Sequence, residues 1–344
     1  MRRSSLAESG LDVSPEEVSR LFAPFVLRRF APDDPEWTAE IARRQRKIGK
    51  RYWKRRLLGW LPSWQRRGDT VLGEYTKAWA GIDYAQYDPG AGAPPRPSPW
   101  IWRDECWFAS DIGATRVRQL LLVRWIERLR PARVLEVGCG NGVNLMLLAG
   151  RFPDVRFAGV DLTRTGPRAA AALQREAVLP RALQDFAPLP LADPSAFRRV
   201  RFTTGDAARL PFADRSVDLV LTVLALEQME RVREAALREI ARVARRHVLM
   251  IEPFREVNDR GWPLRYVVAR DYFRGRISEL SGYGLVPVAA LDDFPQEAYL
   301  RACAVLAEVP AAHRSAPAPA RAGAEGGRGG CREADRRAGR EARS

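Results

Sequence analysis

The stretch Val134–Gly142, VLEVGCGNG, decides the fold. Arg133–Val137 reads as a short buried strand that runs into Glu136-Val-Gly138-Cys-Gly140-Asn-Gly142, and Gly142–Arg151 begins a helix. Glycines at alternate positions let the backbone turn sharply and approach a ligand that a Cβ would exclude. A loop of this kind at the carboxyl end of a strand is where open α/β sheets bind nucleotide-like ligands. Val143 stands where a dinucleotide fingerprint would need its third glycine. The Lys-Ser/Thr of a phosphate loop is missing, and no basic side chain lies in the loop to meet phosphates. An acid two residues before the first glycine suits a phosphate-free cofactor with a cationic, amine-bearing end. Taken alone, the glycine pattern reads equally as a tight strand–helix turn.

Outward from the loop, strand-like and helix-like patterns alternate from residue 101 to 310, the mark of an α/β domain with a parallel sheet. A helix is expected over Gly113–Arg130, strands over Arg156–Val160, Val200–Thr203, Val217–Val223 and Val248–Ile251, and helices near Arg168–Val178 and over Glu230–Arg245. A helix near Asp271–Ser281 and strands at Leu285–Ala290 and Leu300–Leu306 complete the reading. Residues 1–36 form a lead of poorly specified fold, and 37–100 an Arg- and Trp-rich extension closing in a Pro/Gly linker, Asp88–Pro99. Residues 311–344 carry almost no large apolar side chains and are expected to be disordered.

Two more acids fall at strand ends in register with the loop. Asp161, 25 residues after Glu136, closes the second strand in Val160-Asp161-Leu162; Asp206 follows the third in Gly205-Asp206-Ala207. Singly, Asp161 could cap a helix and Asp206 a turn; one shared site explains all three acids. With E-x-G-x-G-x-G at Glu136, Gly138, Gly140 and Gly142, this order resembles the class I S-adenosylmethionine (AdoMet)-dependent methyltransferases, over roughly Val117–Leu306. The resemblance implies a Rossmann-like, seven-stranded, mostly parallel sheet with an antiparallel last strand, preceded here by an N-terminal helical extension. It also implies AdoMet as cofactor, held by Glu136, Gly138, Cys139, Gly140, Asn141 and Gly142. Asp161 and Leu162 would lie at the ribose, Asp206 and Ala207 at the adenine, and Leu224 at the end of the fourth strand.

Methyl transfer from a sulfonium needs chiefly in-line positioning, with a base only where the acceptor must lose a proton early. Glu227 and Glu252, near the ends of the fourth and fifth strands, are the candidates, each with a structural role as its alternative. Many relatives carry histidine where Gln228 stands, so a His-assisted mechanism is not expected. His247 falls at the wrong end of its strand, and Asp271 and Tyr272 read better as a helix start than as rim residues. The fourth strand ends in Thr222-Val-Leu-Ala-Leu226, without the Asn/Asp-Pro-Pro-aromatic motif of exocyclic-nitrogen chemistry or the Pro-Cys of cytosine-C5 chemistry. The expected reaction is methyl transfer to a small-molecule acceptor, a sugar, lipid-linked compound or secondary metabolite, with oxygen favoured. The Pro-rich segment within 180–198 reads as an insertion over the acceptor pocket.

Arg43–Arg67 holds eleven Lys/Arg, no acid, and interleaved Tyr52, Trp53, Trp60 and Trp64. It reads first as a basic helix packed on the catalytic domain as part of a lid, then as a contact for an anionic membrane or acidic partner, and last as an RNA anchor. An RNA methyltransferase and a non-catalytic AdoMet-binding regulator are therefore the alternatives. The net charge of +15 is spread along the chain beside abundant Ala, Gly and Pro, which weakens it as a sign of a partner. Scattered cysteines and only two histidines support neither a zinc site nor a disulfide framework, so no metal is expected. The N-terminus lacks an apolar signal core, and no apolar run reaches the ~18 residues of a membrane span. The expected address is cytoplasmic, with peripheral membrane contact as the alternative.

Overall fold

The computed structural model describes residues 12–61, 64, 68–90 and 97–311. The expected disordered tail, and most of the Pro/Gly linker between its ends, lie outside these residues.

The lead is ordered. Helix α1 (Pro15–Phe22) starts on a capping box, Ser14 Oγ accepting from the Glu17 N–H while the Glu17 carboxylate accepts from the Ser14 N–H. Strand β1 (Val26–Phe30) follows, then the long helix α2 (Pro35–Leu58), whose N-cap Asp34 accepts from the Glu36 and Trp37 N–H groups, and α3 (Gly68–Ala78). Strands β2 (Ser98–Trp102) and β3 (Glu105–Ala109) form an antiparallel hairpin, so the boundary expected at residue 100 falls inside β2.

The alternating region comprises α4 (Asp111–Leu129), β4 (Arg133–Val137), α5 (Val143–Arg151), β5 (Arg156–Asp161), α6 (Thr165–Leu173), α7 (Arg181–Phe186), β6 (Arg201–Thr204), β7 (Val217–Val223), α8 (Arg233–Val243) and β8 (Ala244–Glu252). Helix α9 (Gly261–Arg270) and strands β9 (Val286–Leu291), β10 (Gln296–Glu297) and β11 (Cys303–Glu308) complete it. Seven strands form one sheet in the order β6-β5-β4-β7-β8-β11-β9. As expected, the last strand alone runs against the rest; it is inserted between β8 and β9 and antiparallel to both. Central β4 and β7 are apolar and buried on both faces, as helices on each side of a parallel sheet require.

A second sheet, ordered β1-β3-β2-β10, corrects the reading of the N-terminal region as purely helical. Its strands come from both ends of the chain, and such non-local pairing leaves no periodic trace in a single window. Two further expectations fail. The helix placed near Asp271–Ser281 is present only in its second half, as the 3-10 helix Ile277–Tyr283, and Asp271, read as a helix start, is instead the left-handed C-cap of α9 at φ 57°. The segment 180–198 does not roof the cavity described below. It packs behind α5: Ala192 and Asp193 donate N–H bonds to Gly150 O, and buried Arg116 of α4 donates to the carbonyls of Asp185 and Phe186. Its apolar residues Leu183, Phe186 and Phe197 are consumed in that packing.

Candidate functional site: a cavity at the carboxyl ends of the strands

A cavity of about 760 Å³ opens where β4, β5 and β7 end. Its floor is the glycine loop, which is tied to the neighbouring strand. The Gly138 and Cys139 N–H groups both donate to Val160 O, at 2.7 and 3.0 Å, and the Gly140 N–H donates to Asp161 Oδ2 at 3.0 Å. Gly138, Gly140 and Gly142 all have positive φ, 79°, 52° and 76°. At Gly140 a Cβ would also fall 2.5 Å from the Trp79 ring, which rests on the loop. Only glycine meets both demands.

Glu136, Gly138, Cys139, Gly140, Asn141, Asp161, Leu162, Asp206, Ala207 and Leu224 all border the cavity, as does Glu227. Gly142 does not. A Cβ there would lie 2.4 Å from the Phe202 ring, so this glycine lets α5 start against β6. Glu252 does not border the cavity either. Fully buried at the end of β8, it accepts the Ala225 and Leu226 N–H bonds at 3.0 and 3.1 Å through Oε1. The turn it holds contains Leu224 in the left-handed region at φ 50°, a strained state for a γ-branched residue that its surroundings must enforce. Burial pushes the Glu252 carboxyl up to about 8.

Asp161 is already engaged. Its Oδ1 accepts from the Thr163 N–H and hydroxyl at 2.8 and 2.6 Å, and its Oδ2 accepts from Gly140. With both lone pairs of Oδ1 in use, Oδ2 alone has acceptor capacity left, enough for one ribose hydroxyl rather than two. Asp206 is exposed and accepts from the Ala208 N–H at 2.9 Å.

Glu136 has the most telling surroundings. It is 1% exposed; Oε1 accepts from Asn144 Nδ2 at 2.8 Å, while Oε2 has no hydrogen-bond partner among the described residues. Burial, with the Asp161 charge as a lesser cause, pushes its carboxyl up to about 8. A buried carboxylate oxygen left unpaired in a residue that lines a cavity is a ready acceptor for a cation, since leaving it unpaired is costly. Asn144 is itself fixed by Gln119 Nε2, which donates to Asn144 Oδ1 at 2.6 Å.

Sequence reasoning missed several wall residues. Helix α3 and the following turn contribute Leu72, Tyr75, Trp79 and Ile82, and α4 contributes Arg118. Arg118 is 7% exposed, donates to Thr115 Oγ1 at 3.0 Å and has no partner for Nε among the described residues. For α3 the sequence held no signal, because its lining role depends on where α2 turns back.

The family model described as "Methyltransferase domain" matches residues 135–251, from the glycine-loop strand to the end of β8. These residues form a class I AdoMet-dependent methyltransferase domain. Demethylmenaquinone methyltransferase of Roseiflexus sp. (strain RS-1) is 36% identical over 113 residues, which is 33% of this chain and 38% of that protein. Fatty-acid O-methyltransferase of Mycolicibacterium smegmatis is 34% identical over 113 residues, 33% of each. The chain thus spans well under half the length of these relatives. Among solved structures, the [4+2]-cyclase SpnF superposes with a TM-score of 0.43 at 22% identity, over 65% of this chain and 75% of that one.

The cofactor of the methyltransferase domain is AdoMet, and the cavity fits it. The unpartnered Oε2 of Glu136 suits an ammonium, the glycine loop lets a ligand approach the backbone closely, and Asp161 and Asp206 stand at consecutive strand ends beyond it.

Proposed function

We propose that the chain transfers a methyl group from AdoMet to the hydroxyl or carboxyl oxygen of a small-molecule acceptor. The observation that supports this reading is that Glu227 borders the same cavity as Glu136 and the glycine loop, so an acidic side chain would meet acceptor and cofactor in one cleft. Bound AdoMet supplies a methyl carbon made electrophilic by its sulfonium, with a neutral thioether as leaving group. The protein's part is to hold an acceptor oxygen in line, exclude water and take up a proton. Glu227 is 8% exposed, and its Oε1 accepts from Gln228 Nε2 at 2.6 Å, which orients the carboxylate. It takes the proton of a hydroxyl acceptor as the new bond forms.

Glu252 acts at one remove as a positioning residue, fixing the Leu224–Leu226 turn from below. The acceptor side is mixed in character: Leu72, Tyr75, Trp79 and Ile82 supply apolar wall, while Arg118 and Glu227 supply charge. That mixture supports an amphipathic acceptor of modest size. Two relatives named as O-methyltransferases, acting on fatty acids and on malonyl-[acyl-carrier protein], support oxygen as the atom.

Methyl-tritiated AdoMet in lysate from the source organism should label a small organic-soluble product. Glu227→Gln should lower kcat on a hydroxyl acceptor by about 10²–10⁴-fold with little change in AdoMet affinity. Unchanged kcat would remove Glu227 from the chemistry, and label found only in RNA would overturn the acceptor class.

A further inference from the structure

Helix α2 carries a stripe that neither its packing nor the cavity uses. Its buried side faces the body of the protein: Trp37 and Ile48 are 6% and 8% exposed, Arg55 pairs with Asp271 at 3.2 Å, and Arg51 Nε donates to Ala269 O at 3.0 Å. Arg46, Lys50, Trp53 and Leu57 follow one another at spacings of three and four, with Lys47 and Lys54 beside them, so they share the opposite face. All six are exposed. Trp53 is 58% exposed, Leu57 69%, and Trp60, just past the C-cap Gly59, 74%. From Arg43 to Leu58 the helix has no acid; the nearest one before it, Glu40, is occupied by Arg43 and Arg44.

A solvated charged face accounts for the lysines but not for two tryptophans and a leucine raised among them, because each leaves apolar area in water at a cost of roughly 25 cal/mol per Å². We propose that this face of α2 is a peripheral docking surface for an anionic membrane. Trp53, Leu57 and Trp60 would sink to headgroup depth while Arg46, Lys47, Lys50 and Lys54 meet lipid phosphates, the arrangement of interfacial amphipathic helices. Contact is by surface only, since no described helix is long and apolar enough to cross a bilayer. The surface also lies next to the cavity along the chain: α3, whose Leu72 and Tyr75 line it, begins eight residues after Trp60.

The test is sedimentation of the full chain with vesicles of phosphatidylcholine alone or mixed with phosphatidylglycerol, with and without added salt. Binding should require phosphatidylglycerol and weaken with salt. Lys47→Gln/Lys50→Gln/Lys54→Gln should reduce it about a hundredfold, from roughly fivefold for each positive charge removed. Trp53→Ser should reduce it about tenfold. Both variants should keep the parent thermal midpoint and its shift with AdoMet, since the altered side chains are exposed. The proposal is overturned if the chain ignores both vesicle types, binds both equally, or binds mixed vesicles unaffected by the variants. It is equally overturned if the variants abolish binding to RNA, or dissolve a concentration-dependent dimer seen by sedimentation velocity, while vesicles capture nothing.

Discussion

Replacing Glu136 with Gln should convert a pH-linked cofactor site into a pH-independent, weaker one. The side chain is fully buried at the cavity wall, its Oε1 is held by Asn144, and its Oε2 has no hydrogen-bond partner among the described residues. Glutamine keeps the volume and an acceptor for Asn144, so the change removes the charge and little else. A hydrogen bond to an ionised partner contributes about 1.5–3 kcal/mol. Loss of the Glu136–ammonium contact therefore predicts a Kd for AdoMet about ten- to a hundredfold higher. The titration adds a second, independent signature. With its carboxyl raised to about 8, Glu136 is mostly protonated at pH 6–7 in the cofactor-free protein, and binding an ammonium should expel that proton. Titration calorimetry at these pH values in buffers of different ionisation heats should show release of about one proton by the parent and none by Glu136→Gln.

Stability follows the same linkage. A carboxyl whose pKa is raised on folding contributes stability that is full below its unfolded value near 4.3 and is lost as pH rises through about 8. The stabilisation that AdoMet confers should consequently grow between pH 6 and 8 in the parent but stay level in the variant. An unchanged Kd together with unchanged proton release would refute the assignment of Glu136 to the cofactor amine.

Two other substitutions probe the frame around the site. Glu252→Ala leaves the buried Ala225 and Leu226 N–H groups without acceptors, at a cost of about 1–3 kcal/mol each, whereas Glu252→Gln keeps an oxygen there. Chemical denaturation should therefore rank parent, Gln and Ala in that order, with AdoMet affinity following it. Equal stability of the Gln and Ala variants would refute the clamp. Asp271→Asn keeps a residue that tolerates φ 57° but strips the counter-charge from Arg55, which is 11% exposed. The loss should be about 3 kcal/mol, lowering the midpoint by on the order of 5 °C. Adding Arg55→Met should recover part of that loss in a double-mutant cycle, and strict additivity would show that the pair is not coupled.

The local part of the site was legible in the sequence. Positive φ at three alternate positions needs glycine, so Gly138, Gly140 and Gly142 appear in the sequence as themselves. Strands buried on both faces appear as apolar runs, and the order of strand-like segments places Glu136, Asp161 and Asp206 at strand ends. Side-chain partners were not legible, because even for neighbours in sequence they depend on how the elements pack and which way each side chain turns. The open oxygen of Glu136 depends on Asn144 and Gln119, and the limited capacity left to Asp161 depends on Thr163 and on where the Gly140 N–H points. Glu227 and Glu252 looked alike as acids near strand ends. Only the path of the turn after β7 put one at the cavity and the other beneath the backbone. The N-terminal region shows the same division most sharply. Its basic helix was visible as composition, but long-range contacts decided that α3 walls the cavity, that 180–198 packs behind α5, and that β10 from the far end of the chain joins the sheet of β1, β2 and β3. Composition and periodicity record what each residue prefers locally; which surfaces meet, and so which charges stay paired, open or exposed, is set by the closing of the whole chain.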